Sequence, residues 1–403
     1  MPSQTFAALR HRNYRLWFRG QMVSLFGTWM QLTAQGFLVF QLTHSPAYLG
    51  YVGFANGAPA WLLTLYGGVV ADRVPRRTLL MVTQTFMMLL AFILAALTFL
   101  GAVRPWHIIA LSGLLGVGNA FDAPARQAFV RELVDLPDLT NAIALNAVMF
   151  NSAVAVGPAV AGVAYATLGP GWCFTLNAIS FLAVIWALSL MRIPRADAPV
   201  LHPPAIAGLK EGLTYAAMQP IIRTLIGIVA ATSLLGISVN YLTPAWAVTV
   251  LHGDAKTNGW LLSARGVGGL AGGFSIAMLD RFNIRGTLLT AGSFALPVLL
   301  LMFAGTRSLP ASLAVYLVSG AAFIFVQNLA NALLQTTVPD HLRGRVMGVF
   351  MLTFFGFMPL GSLGIGLTAH ALGAPLAVAL NATLLLGVAA FIYVRIPGLR
   401  AAR

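Results

Sequence analysis

The chain has 403 residues, of which 59% are hydrophobic and only 8% charged, and a mean hydropathy of +0.84. That composition excludes a soluble globular domain; apolar runs of about 20 residues without barrel-type alternation call for helices that cross a bilayer and satisfy their own backbone hydrogen bonds. The net charge of +14 admits nucleic acid in principle, but no face interleaves aromatic and basic side chains as a nucleic-acid site would, so a nucleic-acid partner is not expected.

In chain order, Arg10, His11, Arg12 and Arg15 lead into an apolar run too long for a signal-peptide core and lacking a small-residue cleavage site, so it is expected to remain as a first helix. Apolar windows bounded by charge, glycine, proline and polar clusters place six spans at 13–42, 47–71, 79–101, 105–123, 141–168 and 172–190. Six more follow at 219–250, 257–279, 286–306, 309–334, 345–371 and 374–394. The expected fold is therefore all-α and integral to the membrane: twelve transmembrane helices in two six-helix bundles. Arg104, Lys256 and Arg307 are the only bases in loops on one side, and the rest of the loop arginines and lysines gather on the side of the termini. Bases are retained on the cytoplasmic face, so both termini are expected there, and the positive charge suits anionic lipid.

Between the two sets of six lies a segment with Pro194, Pro199, Pro203 and Pro204 at its start, which favours an extended linker. From Ala205 to Ala217 the pattern fits a short amphipathic helix on the membrane surface, carrying Lys210 and Glu211. The domain boundaries read from this are 1–191, 192–218 and 219–403. The halves also repeat. Leu176-Asn177-Ala178 recurs as Leu380-Asn381-Ala382, Thr167-Leu168-Gly169 is echoed by Ala371-Leu372-Gly373, Asp72-Arg73 by Asp280-Arg281, and Pro137-Asp138 by Pro339-Asp340, all at nearly constant offsets. Two related six-helix units suit alternating access around a site near the midplane, which makes transport the expected function class.

Between spans two and three stands Gly68-Val69-Val70-Ala71-Asp72-Arg73-Val74-Pro75-Arg76-Arg77. An ordinary positive loop would explain the arginines but not the spacing. Here the sequence resembles the major facilitator superfamily, whose signature loop has this form. The resemblance implies that Gly68, Asp72, Arg73, Arg76 and Arg77 form a charge lock on the cytoplasmic side, with Pro75 in place of the usual glycine. In the second half Asp280, Arg281 and Arg285 match, but Ile276 replaces glycine, so a weaker lock is expected there. Asp122, at the end of span four, is expected within reach of Arg73 or Arg76, either as a structural salt bridge or as a proton-responsive member of the lock, with Arg126 sharing either role. In span five Ala153, Gly157 and Ala161 make a small-residue ridge, and Pro158 bends the axis. Gly157-Pro158 with Gly162 resembles the antiporter motif of exporters. With Gly27 to Gln31, the loop from Asp122, and Pro339 to Arg345, the whole chain is similar to the enterobactin-exporter and macrolide-efflux branch.

A base at bilayer depth costs about 2.5 to 3.5 kcal/mol unless it snorkels or faces a cavity. Arg19 is near enough to the surface to snorkel; Arg265 is deeper, with no acid at similar depth in its half, and either faces the central cavity, where it could hold an acidic group of a substrate, or serves packing. Gln31 and Gln35, Asn240 and Tyr241, and Gln327, Asn328 and Asn331 are the mid-span polar candidates for the cavity, with Trp29 and Phe37 as apolar wall. The glycine run from Gly266 to Gly273 lacks the strand and Lys-Ser/Thr of a phosphate loop and reads as helix packing. Cys173 is the sole cysteine; neither a metal nor another cofactor is expected, and no clustered catalytic set suggests an enzyme. The reading is an exporter of small amphipathic molecules (drug, macrolide-like compound or siderophore) in a bacterial inner membrane, functioning as a monomer. Proton coupling is implied by the resemblance, with Asp72 and Asp122 as titrating candidates. Uptake or lysolipid flipping is the alternative; a membrane receptor or enzyme fits less well.

Overall fold

The computed structural model describes residues 4–192, 205–279 and 285–396, and among them the fold is all helix. The N-terminal half comprises α1 (Arg12–Thr43), α2 (Pro46–Arg73), α3 (Arg76–Phe99), α4 (Pro105–Phe129), α5 (Leu139–Leu168) and α6 (Pro170–Leu190). After α7 (Ala205–Met218) come α8 (Pro220–Ala231), α9 (Thr243–Thr249), α10 (Ala255–Leu279), α11 (Arg285–Gly305), α12 (Leu309–Thr337), α13 (Asp340–Leu372) and α14 (Ala374–Arg395). Most helix ends lie within three residues of the expected spans, but α4 runs on to Phe129 and α13 begins at Asp340, beyond the expected 105–123 and 345–371. Among the described residues nine helices are long and apolar enough to cross a membrane by length and composition alone. The remaining long ones, α1, α2 and α10, are less apolar; in α1 this reflects polar side chains turned inward, Gln21, Gln31 and Gln35 being buried.

The seventh span, expected over 219–250, runs from Pro220 to Thr249. It changes pitch in mid-membrane, with a wide turn at Thr232–Gly236 and a tight one at Ile237–Leu242. Pro244 has no N–H with which to bond the Asn240 carbonyl; through the tight turn the Thr243 N–H bonds that oxygen, and the Thr243 hydroxyl donates to it as well, at 2.9 Å. The backbone thus stays satisfied within hydrocarbon.

The halves obey the repeat read from the sequence. Asn177 of α6 donates to Gln31 Oε1 of α1 at 2.6 Å, and Asn381 of α14 donates to the Leu235 carbonyl at 3.3 Å and to Ser238 Oγ at 3.2 Å. Both pairs, Asn177 with Gln31 and Asn381 with Leu235, are separated by 146 residues. Gly169 and Gly373, one offset apart, both end their helices at positive φ, 89° and 84°, where a Cβ would be strained. Across the molecule α2 packs on α13, and α10 on α5, so one pseudo-twofold relation accounts for both contacts. The linker helix α7 lies along α13, tied by the Glu211–Arg345 ion pair; the prolines from Pro194 to Pro204 lie outside the described residues.

Candidate functional site

The face that carries the termini and most loop bases is called the basic face below. The halves touch along two seams toward the opposite face. On one, Gly50 meets the backbone of Ser362 to Gly366, Gly57 meets Pro359, and Gly356 meets Trp61. On the other, Gly162 meets Ala255, Gly259 meets the Pro158 carbonyl, and Gly266 meets Ala155. Hydrogen bonds join the halves here too: the Ala159 N–H, beside Pro158, donates to Ser263 Oγ at 2.9 Å, and Ser45 Oγ lies 3.2 Å from His370 Nδ1. Toward the basic face no glycine among the described residues meets the other half. A side chain added at Gly68, Gly273, Gly344 or Gly348 would meet nothing within 4 Å. Among the described residues the two halves therefore part toward the basic face and meet on the other.

Span five uses two faces at once. Gly157 abuts Trp29 of α1, and Ala153 is buried with Leu25 and Met149, so the expected ridge packs inside its own half. Pro158 and Gly162 face α10 of the other half.

The polar candidates separate by environment. Gln31 (4% exposed) accepts from Asn177, and Gln35 (3% exposed) donates to Ser112 of α4. Both were expected on the cavity wall; the structure instead turns them into contacts between helices of one half, because an amide at that depth finds a protein partner more cheaply than open space. Phe37, also expected on the wall, is buried edge-on against Tyr165, and Trp29 is half-buried edge-on to Phe150. Gln327 is buried and accepts from Thr232 at 3.3 Å, whereas Asn331 is half-buried and accepts from Gln335 at 2.6 Å. Asn328 is exposed on α12. Asn240 and Tyr241 are half-buried in the tight turn of the seventh span, Asn240 accepting from the Tyr316 hydroxyl and Tyr241 lying against Gly53 of the other half.

Arg265 is half-buried, its guanidinium 4.9 Å from the Phe323 ring centre and 5.8 Å from that of Tyr316. The exposed apolar side chains of α10, Trp260, Val267, Phe274 and Met278, form one stripe toward lipid. At 100° per residue Arg265 lies on the opposite side.

On the basic face the Gly68–Arg77 stretch is a tight joint between helix ends, with Asp72 at the end of its span as expected. Asp72 and Arg73 end α2, Arg76 and Arg77 start α3, and only Val74 and Pro75 lie between. Val74 is extended (φ −106°, ψ 142°), as a residue before proline must be. Arg76 pairs with Glu132 at 2.7 Å and lies 3.6 Å from Asp72; Arg77 donates to the Ser189 carbonyl at 3.0 Å. Arg73 and Asp72 are exposed, and Gly68 is half-exposed. Asp122 does not reach out to Arg73 or Arg76 as expected. It is 1% exposed and accepts from Thr83 at 3.0 Å and Gln84 at 2.8 Å, with Arg126 at 3.5 Å one turn on, because its face of α4 packs against α3. Asp280 and Arg281 lie outside the described residues; Arg285 opens α11.

Two repeated six-helix bundles around a cleft open to one side form the architecture of a carrier, and a family model for transmembrane secretion effectors matches residues 3–403. The chain belongs to this family of major facilitator transporters.

As a major facilitator transporter it is 31% identical to the multidrug efflux pump Tap of Mycolicibacterium fortuitum, over 86% of this chain and 87% of that protein. It is 26% identical to the staphyloferrin A transporter of Staphylococcus aureus, over 89% and 90%. The crystal structure of the nucleoside transporter NupG superposes with a TM-score of 0.73 at 15% identity, covering 95% of this chain and 98% of that one, a likeness of fold. The transporter residue that sequence reading missed is Glu132, the main partner of Arg76. Its only signal was an acid in the short turn after α4, 56 residues away.

Proposed function

We propose that this transporter exports small amphipathic molecules from the cytoplasm across a bacterial inner membrane by alternating access. The observation that carries this reading is the cleft sealed on one face by glycine-lined seams and open on the basic face. Assigning the basic face to the cytoplasm, as its arginines favour, makes this the state that loads substrate from inside. The name of one relative, a multidrug efflux pump, supports the outward direction. Units of 1–191, 192–218 and 219–403 act as bundle, linker and bundle, and one chain suffices for the cycle.

Protons supply the energy in this reading. The candidates for proton coupling are Asp72 and Asp122, the latter held by Thr83, Gln84 and Arg126; Asp72, Arg73, Arg76, Arg77, Glu132 and Arg126 form the gate that closes on the other half in the opposite state. Anionic lipid contacts the exposed bases of this face. Everted membrane vesicles test it: fluorescent amphipathic dyes of anionic, neutral and cationic type should accumulate inside when a pH gradient is applied, and an uncoupler should release them. No accumulation of any dye, or accumulation only in right-side-out vesicles, contradicts export.

A further inference from the structure

We infer that Arg265 anchors a carboxylate of the transported molecule, so that the cleft selects amphipathic anions; this rests on the cleft being the transport path. Arg265 is ten residues into α10 from its sealed end, about 15 Å along the axis, which is the middle of the hydrocarbon. On the same side of α10, one and two turns nearer the sealed face, Leu261 and Asn258 are fully buried, while Arg265 itself is half-exposed. The guanidinium therefore lies just below the roof of the cleft.

A charge at that depth persists only with a partner or a task. Among the described residues no carboxylate pairs with Arg265. The acid on its own helix run, Asp254, is turned to the N–H groups of Lys256 and Thr257 at 3.0 and 3.1 Å. Asp122, in the other half, is occupied by Thr83, Gln84 and Arg126. What holds Arg265 is the pair of rings on α12, Tyr316 and Phe323, two turns apart and flanking Gly320, whose missing side chain lets α10 approach closely. Ring faces stabilise a guanidinium without using its N–H donors. Those donors stay available in a low-dielectric site, the condition under which a bidentate carboxylate is bound strongly.

Tyr316 is fixed in turn. Its ring stacks on Phe303 at 4.6 Å, which stacks on Trp246 at 4.4 Å, and its hydroxyl is spent on Asn240 Oδ1. The NH2 of Asn240 makes no hydrogen bond among the described residues, so the seventh span offers a second donor beside the same ring. An aromatic wall, a held cation and a free amide together fit an oxyanion joined to an apolar body.

The test uses purified full-length protein in nanodiscs and three probes: 1-naphthoate, its neutral isostere 1-naphthamide, and chloride. Titration calorimetry should show naphthoate binding at least tenfold tighter than naphthamide to the unmodified protein. Arg265→Met should abolish that preference, and Arg265→Lys should retain part of it. Equal affinity for the two naphthyl probes in the unmodified protein overturns the inference, and this arm does not depend on any variant folding. Competition by chloride at concentrations near those of naphthoate also overturns it, reassigning the site to a free small anion. Failure of export leaves this binding preference in place, whereas its loss with export intact removes the anion anchor alone.

Discussion

Asp122 shows how much a single buried acid organises. Its carboxylate takes hydrogen bonds from two side chains of α3 and faces an arginine on its own helix. Asp122→Ala should lower stability by about 1–3 kcal/mol, the cost of stranding buried donors, measured as an earlier thermal unfolding transition in detergent. Asp122→Asn should unfold nearer the unmodified protein while losing the response of vesicle accumulation to the pH gradient. At the joint, Glu132→Gln should impair transport as Asp72→Asn does, since both remove an acid from Arg76. Asp280→Asn should be milder, because Ile276 departs from the glycine pattern in that half. Equal losses for Asp72→Asn and Asp280→Asn would refute the asymmetry. Asp72 and the arginines were legible from spacing. Glu132 was not, because the fold alone brings the end of α4 beside the start of α3.

At the scale of elements, the seams set which state is populated. Gly366 and Gly50 meet backbone to backbone, where no rotamer change could make room for a side chain. Gly366→Val should therefore open the sealed face. With Cys173, which is buried, replaced by serine, cysteines introduced at Ser45 and His370 should cross-link readily on oxidation; adding Gly366→Val should reduce the yield at least tenfold. Asn258 presents the reverse case. It is fully buried and neither its amide N nor O has a partner among the described residues, a cost of about 1–3 kcal/mol that Asn258→Leu should remove. The variant should unfold later than the unmodified protein and transport more slowly, as the sealed state becomes harder to leave. No drop in transport would show that Asn258 does not bias the cycle. The change of pitch in the seventh span belongs to this scale as well: an apolar window counts residues and does not register the N–H that Pro244 lacks.

For the whole molecule, two copies of one six-helix plan meet through α2 with α13 and α5 with α10, and the pairing of Asn177 with span one is repeated by Asn381 with span seven at the same separation. The sequence by itself determined the membrane, the helical class, the duplication and the family likeness. These follow from quantities that add along the chain: apolar length, charge placement and repeated spacing. The positions of Gly169 and Gly373 were likewise legible, since each stands at a span end within two residues of a proline. Only the tertiary structure decided which polar side chains are spent on contacts between helices. Gln31 and Gln35 share α1 with nothing in their spacing to distinguish a wall from a packing contact, and the answer depends on Asn177 and Ser112 standing opposite. Arg265 was conspicuous by depth, but its direction needed the lipid stripe of α10 and the rings of α12. The closed seams and the open basic face were also beyond the sequence. The same residues must form both states of the cycle, so the state described depends on how the two bundles pack, an arrangement that local spacing does not encode.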